Sequence, residues 1–265
     1  MCDVNARFRA RIGLDDDERR LTFKQLSGVL ERIALTIPFE NLAIIDSRHA
    51  PISKEQLADK VLRRGEGGLC YELNTLLYYW LLENGWDSVL VSGVVYNHDR
   101  QQYSSAGRTH VTILVRHEGQ TYLVDTGFGS NLPLRPVPLS GEVVSSWNGE
   151  FRIVPVESEL GNYRLEMKLQ HKHADWMIGY IFDTERTIPD DTELNAIQRI
   201  IAEHDDSPFN KTRLTSKVTE RGTITLTQES FTEWADGVMT KTAVDNDIQY
   251  RKLLEDRFGV NIVTG

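Results

Sequence analysis

The chain has 265 residues, with 30 lysines and arginines against 39 aspartates and glutamates, a net charge of -9 and a pI near 5.3. An acidic chain with no basic block argues against nucleic-acid binding and against polybasic attachment to a membrane surface. Hydrophobic residues make up 40% and charged residues 26% of an ordinary globular composition, and the only cysteines, Cys2 and Cys70, are too few for a disulfide framework or a zinc-ribbon array.

At roughly 150 residues per domain the length predicts about two domains. No apolar signal-peptide core opens the sequence, and no apolar run is long enough to span a bilayer. The expected location is the cytoplasm, where thiols stay reduced. The first third reads helical. Leu26, Val29, Leu30, Ile33 and Ile37 form one apolar face, which Pro38 should end. Ser53 with Gln56 predicts a capped helix start, backed by Leu57, Val61 and Leu62. Gly65, Gly67 and Gly68 break the chain before a third helix over Cys70–Glu83, closed by Asn84-Gly85.

The middle reads as strands: Ser88–Tyr96, Thr109–His117, Gln120–Asp125, Phe151–Val156, Tyr163–Gln170 and Trp176–Phe182. A Glu118-Gly119 turn should join the second to the third. Residues 130–150 read as one long loop, a type more often functional than accidental. In the last third, Glu193–His204 and Asp247–Phe258 read as helices and Thr223–Thr227 as a strand. Domain limits are expected near Trp86 and Glu185.

Cys70 follows Gly67-Gly68-Leu69 and opens a helix. There a sulfur meets unpaired backbone N–H groups and the positive end of the macrodipole, which favour thiolate. The competing reading is a small buried hydrophobe. A nucleophilic thiolate needs a base, and the base an orienting group. His110, one of seven histidines, sits near the start of an otherwise apolar strand. The predicted hairpin brings Asp125 back beside it. Each taken singly reads as a core histidine or a turn-capping aspartate. Their joint placement with a glycine-flanked cysteine points to a triad.

The segment Gly67-Gly68-Leu69-Cys70-Tyr71-Glu72-Leu73-Asn74 resembles the active-site signature of the arylamine N-acetyltransferases. Thr109-His110 and Asp125-Thr126-Gly127-Phe128-Gly129 resemble that family's histidine and aspartate motifs, in the same order. Phe8–Ile12, Pro38-Phe39-Glu40-Asn41-Leu42 and Ser207-Pro208-Phe209-Asn210 extend the resemblance over most of the chain. It implies an α+β fold with a cysteine-protease-like catalytic core: an N-terminal helical bundle (1–86), a central β-barrel (87–185) and a C-terminal α/β lid (186–265). It implies acetyl-CoA as co-substrate, no metal, and ping-pong transfer through an acetyl-cysteine to an arylamine, hydrazine or related small amine, an activity used in xenobiotic metabolism. Cys70 is then the nucleophile, His110 the base and acid, and Asp125 the orienter. The Cys70 backbone N–H is the first oxyanion donor to expect. Phe39, Val95 and Phe128 align with acceptor-pocket positions. Gly127, Gly129 and Ser130, with the long loop through Gly141, align with the family's CoA-binding region; Lys211 offers added charge, against the competing reading of a solvated surface lysine.

One departure stands before the glycines. Where the family usually carries arginine, this chain has Glu66. That arginine supports the carboxylate that is Glu40 here, so Glu66 facing Glu40 would be a costly like-charge contact if buried. The expected remedy is Arg64 reaching in from one turn away. Other readings are an impaired CoA- or aromatic-binding protein, or another Cys-His-Asp enzyme of cysteine-peptidase or transglutaminase type. His171 and His173 share a strand face by period 2, but no further ligand joins them to make a metal site.

Overall fold

The computed structural model describes residues 4–14 and 21–261, so Cys2 lies outside the described residues. The chain begins with helices α1 (Val4–Arg11) and α2 (Phe23–Thr36), then a two-residue strand β1 (Phe39–Glu40) and a one-turn helix α3 (Leu42–Ile45). Helix α4 (Lys54–Leu57) runs directly into a π-helical turn over Ala58–Arg63, and α5 follows over Cys70–Glu83. The apolar stripe of α2 is buried, and Ile37 leaves helical geometry at Pro38 as the sequence requires. Ser53 Oγ accepts the Gln56 N–H at 3.2 Å and starts α4.

Nine strands follow: β2 (Asp87–Asn97), β3 (Gln102–Tyr103), β4 (His110–His117), β5 (Gln120–Val124), β6 (Val137–Pro138), β7 (Val144–Ser146), β8 (Gly149–Ser158), β9 (Gly161–Leu169) and β10 (Met177–Thr187). Eight of them, in the order β6-β5-β4-β2-β10-β9-β8-β7, curl into a nearly closed barrel, with β3 added to β2. Two short strands, β6 and β7, thus interrupt the expected loop over 130–150. His171 and His173 lie past the end of β9, in a turn where His171 takes a φ of 63°, so they share no strand face. Among the described residues no group of three or more histidine, cysteine or acidic side chains could hold a metal ion. None of the described helices is long and apolar enough to cross a membrane.

The chain closes with α6 (Asp191–Glu203), a 3-10 turn over Pro208–Asn210, and strands β11 (Leu214–Thr219), β12 (Gly222–Thr227), β13 (Ser230–Ala235) and β14 (Val238–Ala243). Helix α7 (Asp247–Leu253) ends through a π-helical turn at Gly259, whose φ of 71° a side chain would disfavour. These last strands form a second sheet in the order β1-β11-β12-β13-β14. Its first member comes from the N-terminal third: Phe39 pairs with Ser216 and Glu40 with Thr215, antiparallel.

Helix α5 is the central strut. It is buried on nearly every side, between α1, α4 and α6 on one flank and β4 and β2 on the other. Trp80, fully buried, stacks on Phe8 at 4.8 Å. Burying rings of this size contributes about 2–3 kcal/mol each. Strand β4 is buried on both faces, which explains its unbroken apolar run. Val111, Ile113 and Val115 meet the helices, whereas Leu114 joins the barrel interior. Period 2 puts His110 on the Leu114 side, at the mouth of the barrel.

Candidate active site

Cys70 is the first residue of α5, 4% exposed, with its sulfur 3.4 Å from the Thr109 carbonyl oxygen. As an N1 residue its backbone N–H has no partner within the helix. The helix start is fixed by Glu72, whose Oε2 accepts the Leu69 N–H at 2.9 Å. The two glycines serve this packing rather than clearing space at the sulfur. A Cβ on Gly67 would lie 2.1 Å from the Pro38 carbonyl oxygen, and one on Gly68 would lie 2.9 Å from Glu72 Oε2.

The β4–β5 hairpin pairs Ile113 with Val124 and brings Asp125 to His110, Nε2 to Oδ2, at 2.7 Å. Glu118 and Gly119 both take positive φ, as a tight primed turn requires. Asp125 is buried and fully ligated. Its Oδ1 accepts from Asn74 Nδ2 at 2.8 Å and the Gly127 N–H at 2.7 Å. Its Oδ2 also accepts the Tyr180 hydroxyl at 2.7 Å. Burial alone would raise its pKa, but His110, Asn74 and Tyr180 together hold it below the ordinary aspartate value. Burial opposes the imidazolium of His110, yet the Asp125 charge and hydrogen bond, aided by Cys70, push its pKa up to about 10. Nε2 of the ring is engaged by Asp125, and Cys70 is close enough to add to the upward shift. The ring therefore carries a proton at neutral pH and sits between a sulfur and a carboxylate.

Two residues here were given no role on sequence grounds. Asn74 lies one turn after Cys70 and ties α5 to Asp125, to the Thr126 N–H at 2.8 Å and to the Val111 carbonyl at 2.7 Å. An amide inside so apolar a helix is the signal that could have found it. Tyr180, from β10, had none; the long-range pairing of β10 with β2, the strand beside β4, brings it to Asp125.

A cavity of about 650 Å³ opens over Cys70 and His110. Phe39, Val95, Phe128 and Phe209 line it, as do Gly127, Gly129, Ser130 and Lys211, whereas Gly141 lines neither it nor its neighbour. Phe128 meets His110 edge-on at 5.2 Å and Phe39 meets Phe209 at 5.6 Å. Asn41 joins these walls, with Nδ2 donating to the Phe209 and Thr212 carbonyls at 2.9 and 2.8 Å. A second cavity of about 180 Å³ shares Ser130 with the first and is lined by Trp147, Lys172, Arg221 and Trp234.

A family model described as N-acetyltransferase matches residues 22–265. The chain belongs to the arylamine N-acetyltransferase family. It is an acyl-transferring enzyme, an N-acetyltransferase. An uncharacterised acetyltransferase of Bacillus subtilis is 40% identical over 86% of each chain. The crystal structure of an arylamine N-acetyltransferase from Bacillus cereus is 42% identical, covers 99% of this chain and all of its own, and superposes with a TM-score of 0.92. That relative is described with a Cys-His-Glu triad; here the acid on the histidine is Asp125. The Mycobacterium marinum arylamine N-acetyltransferase, solved in complex with CoA, is 26% identical, with 97% and 93% coverage and a TM-score of 0.84. The mixed fold, with helices packed on a nearly closed barrel, is that of this family.

The expected remedy for Glu66 needs correction. Arg64 does not reach Glu40; it pairs with Glu66 at 2.5 Å and with Asp59. Arg64 leaves the π-helical turn on the solvent side, 40% exposed, while Lys60 on the same turn points inward. Lys60 Nζ lies 3.5 Å from Glu40 and 2.6 Å from Glu72.

Proposed function

We propose that Cys70 is the acetyl-accepting nucleophile of an acetyl-CoA-dependent N-acetyltransferase that takes arylamines, hydrazines or related small amines, with His110 as base and acid and Asp125 as its orienter. The observation that carries this reading is the buried Cys70–His110–Asp125 chain at the floor of a 650 Å³ cavity with aromatic walls. Such a volume suits a small ligand, and flat apolar walls suit an aromatic ring.

In the first half-reaction the Cys70 thiolate attacks the acetyl carbonyl carbon. The Cys70 backbone N–H, unpartnered within the helix, donates to the developing oxyanion. The C–S bond to CoA breaks, and the imidazolium of His110 supplies the proton to the departing sulfur. In the second, the amine nitrogen attacks the acetyl-cysteine and His110 takes its proton. The new C–N bond forms as the Cys70 sulfur leaves. Thioester and amide chemistry of this kind asks mainly for a thiolate, orientation and oxyanion donors.

The assignment of Gly127, Gly129 and Ser130 to the CoA pyrophosphate is supported by their lining of the cavity beside Cys70, and Ser130 also lines the smaller cavity, which this reading gives to the nucleotide end. Lys172 at that cavity offers positive charge to a phosphate; Arg221 there is paired with Asp236, and Glu220 also lines the wall. Glu66 is neutralised by Arg64 and Arg48 and leaves the His110–Asp125 contact intact. It therefore gives no ground for an impaired binding protein.

Intact-mass measurement tests the assignment. Mixed with acetyl-CoA and no amine, the protein should gain one acetyl group, and Cys70→Ala should gain none. An unmodified wild-type protein, or an adduct that survives in Cys70→Ala, would overturn the proposal.

A further inference from the structure

Outside the His110–Asp125 centre, the most heavily charged buried place in the described residues is the gap between the π-helical turn, β1 and the first turn of α5. Lys60 is 7% exposed there, Glu40 1% and Glu72 5%. One ammonium faces two carboxylates, at 2.6 Å from Glu72 and 3.5 Å from Glu40. Each carboxylate uses its other oxygen to hold a backbone N–H. Glu72 Oε2 accepts from Leu69, and Glu40 Oε2 accepts from Leu42 at 2.5 Å. Glu40 Oε1 has no hydrogen-bond partner, so the lysine is its nearest compensation among the described residues.

These contacts join the two segments that frame the sulfur. The Glu40 N–H donates to the Gly68 carbonyl at 3.0 Å, and the Gly68 N–H to the Pro38 carbonyl at 3.3 Å. Phe39, between them, lines the cavity beside Cys70. Cys70 itself stands between Leu69 and Glu72, the two ends of the helix cap. We propose that Lys60 is a positioning residue for Cys70, its ammonium clamping the first turn of α5 to the Phe39–Glu40 strand through Glu72 and Glu40. This rests on the reading of Cys70 as the nucleophile.

The π-helical turn explains how a lysine comes to be there. The Arg64 N–H bonds to the Asp59 carbonyl, five residues back, so the turn is one residue wider than α-helical. Asp59 then pairs with both Arg63 and Arg64 on the outer side. Burial works against the Lys60 ammonium, but Glu72 and Glu40 outweigh it and keep its pKa above the ordinary lysine value. The Lys60 ammonium is thus held charged at neutral pH, while burial raises the pKa of the Glu40 carboxyl that faces it. Without the ammonium, two neighbouring carboxylates lose their shared cation in a dry gap, and one must take a proton or swing out. Either response moves Leu69 and so the sulfur.

The test is the alkylation of Cys70 by iodoacetamide at pH 7, read by peptide-resolved mass spectrometry and accompanied by thermal melts. Lys60→Met should slow Cys70 alkylation and its acetylation by acetyl-CoA together, by about tenfold or more, the scale at which small misplacements of a reacting group act. Lys60→Arg, which keeps a cation, should recover most of that loss. A folded Lys60→Met with wild-type alkylation and acetylation, even at a lowered melting temperature, overturns the proposal by making the lysine merely structural. If Lys60→Met does not fold, Lys60→Met combined with Glu40→Gln removes the cation with one of its carboxylates. That variant should still alkylate at least about fivefold slowly, because Glu72 has lost its partner, and a wild-type rate overturns the proposal. Absence of an acetyl adduct on the wild-type Cys70 would instead sink the nucleophile assignment, so the two failures are distinct.

Discussion

At the scale of single residues the charge of His110 has a consequence for stability. Its pKa in the fold is about 10, against 6.5 for an unperturbed histidine. A group raised on folding contributes stability that is whole below about pH 6.5 and is lost as pH climbs toward 10. Over that window the folded chain holds a proton that the unfolded chain has released, at up to about 1.4 kcal/mol per pH unit. Cys70 contributes to the His110 shift, so Cys70→Ala is the background that isolates the Asp125 effect. Its melting temperature should fall between pH 7 and 9, and the added His110→Gln should flatten that slope. Equal slopes in the two proteins would show that His110 is not held charged by Asp125. The approach of Asp125 to His110 beside Cys70 was legible residue by residue because strand parity, a hairpin turn and a glycine-flanked cysteine are local features. The cation facing Glu40 was not. Lys60 lies six residues before Glu66, and only the wider π-helical turn aims it inward.

At the scale of elements, most helices and the barrel strands were legible because their apolar periodicity is local. The sequence range Cys70–Glu83 coincides with α5, and Pro38 and Gly259 end helices where chain chemistry demands it. The pairing of β1 with β11 was hidden. Two residues carry no periodicity, and their partner lies far along the chain at Thr215 and Ser216. Where elements meet, glycine decides the distance. A Cβ on Gly127 would sit 2.5 Å from the Cys70 Cα and 2.8 Å from Asn74 Nδ2, both on α5. Gly127→Ala must therefore push the aspartate loop off the helix that carries the sulfur, a change that costs about 1–3 kcal/mol in comparable overpacked sites. Acetylation by acetyl-CoA should drop by about a hundredfold. Gly28 provides the control. It lies inside α2 with nothing within 4 Å of its added Cβ, so Gly28→Ala should leave activity alone and stabilise by about 0.5–1 kcal/mol. Near-normal acetylation by Gly127→Ala would refute the close-contact argument.

At the scale of the whole molecule, the net charge of -9 opposes an anionic co-substrate, so binding must come from individual cations that their carboxylate neighbours leave unpaired. The smaller cavity lies where the turn after β9 meets the hairpins of the C-terminal sheet, and its Lys172 ammonium sits 5.8 Å from the Trp234 ring. Arg221 at the same cavity is already paired with Asp236, which leaves Lys172 the freer charge for a phosphate. If CoA spans the two cavities, Lys172→Ala should raise the KM for acetyl-CoA about five- to tenfold, the scale of one exposed charge-assisted contact. The acetyl donor p-nitrophenyl acetate has no nucleotide, so its KM should not change, and kcat should hold for both donors. Added salt should shrink the wild-type advantage by screening the contact. A KM that rises equally for both donors would place the effect at the thioester end instead. A KM unchanged for acetyl-CoA would remove the nucleotide from this cavity, while leaving the Cys70 chemistry untouched.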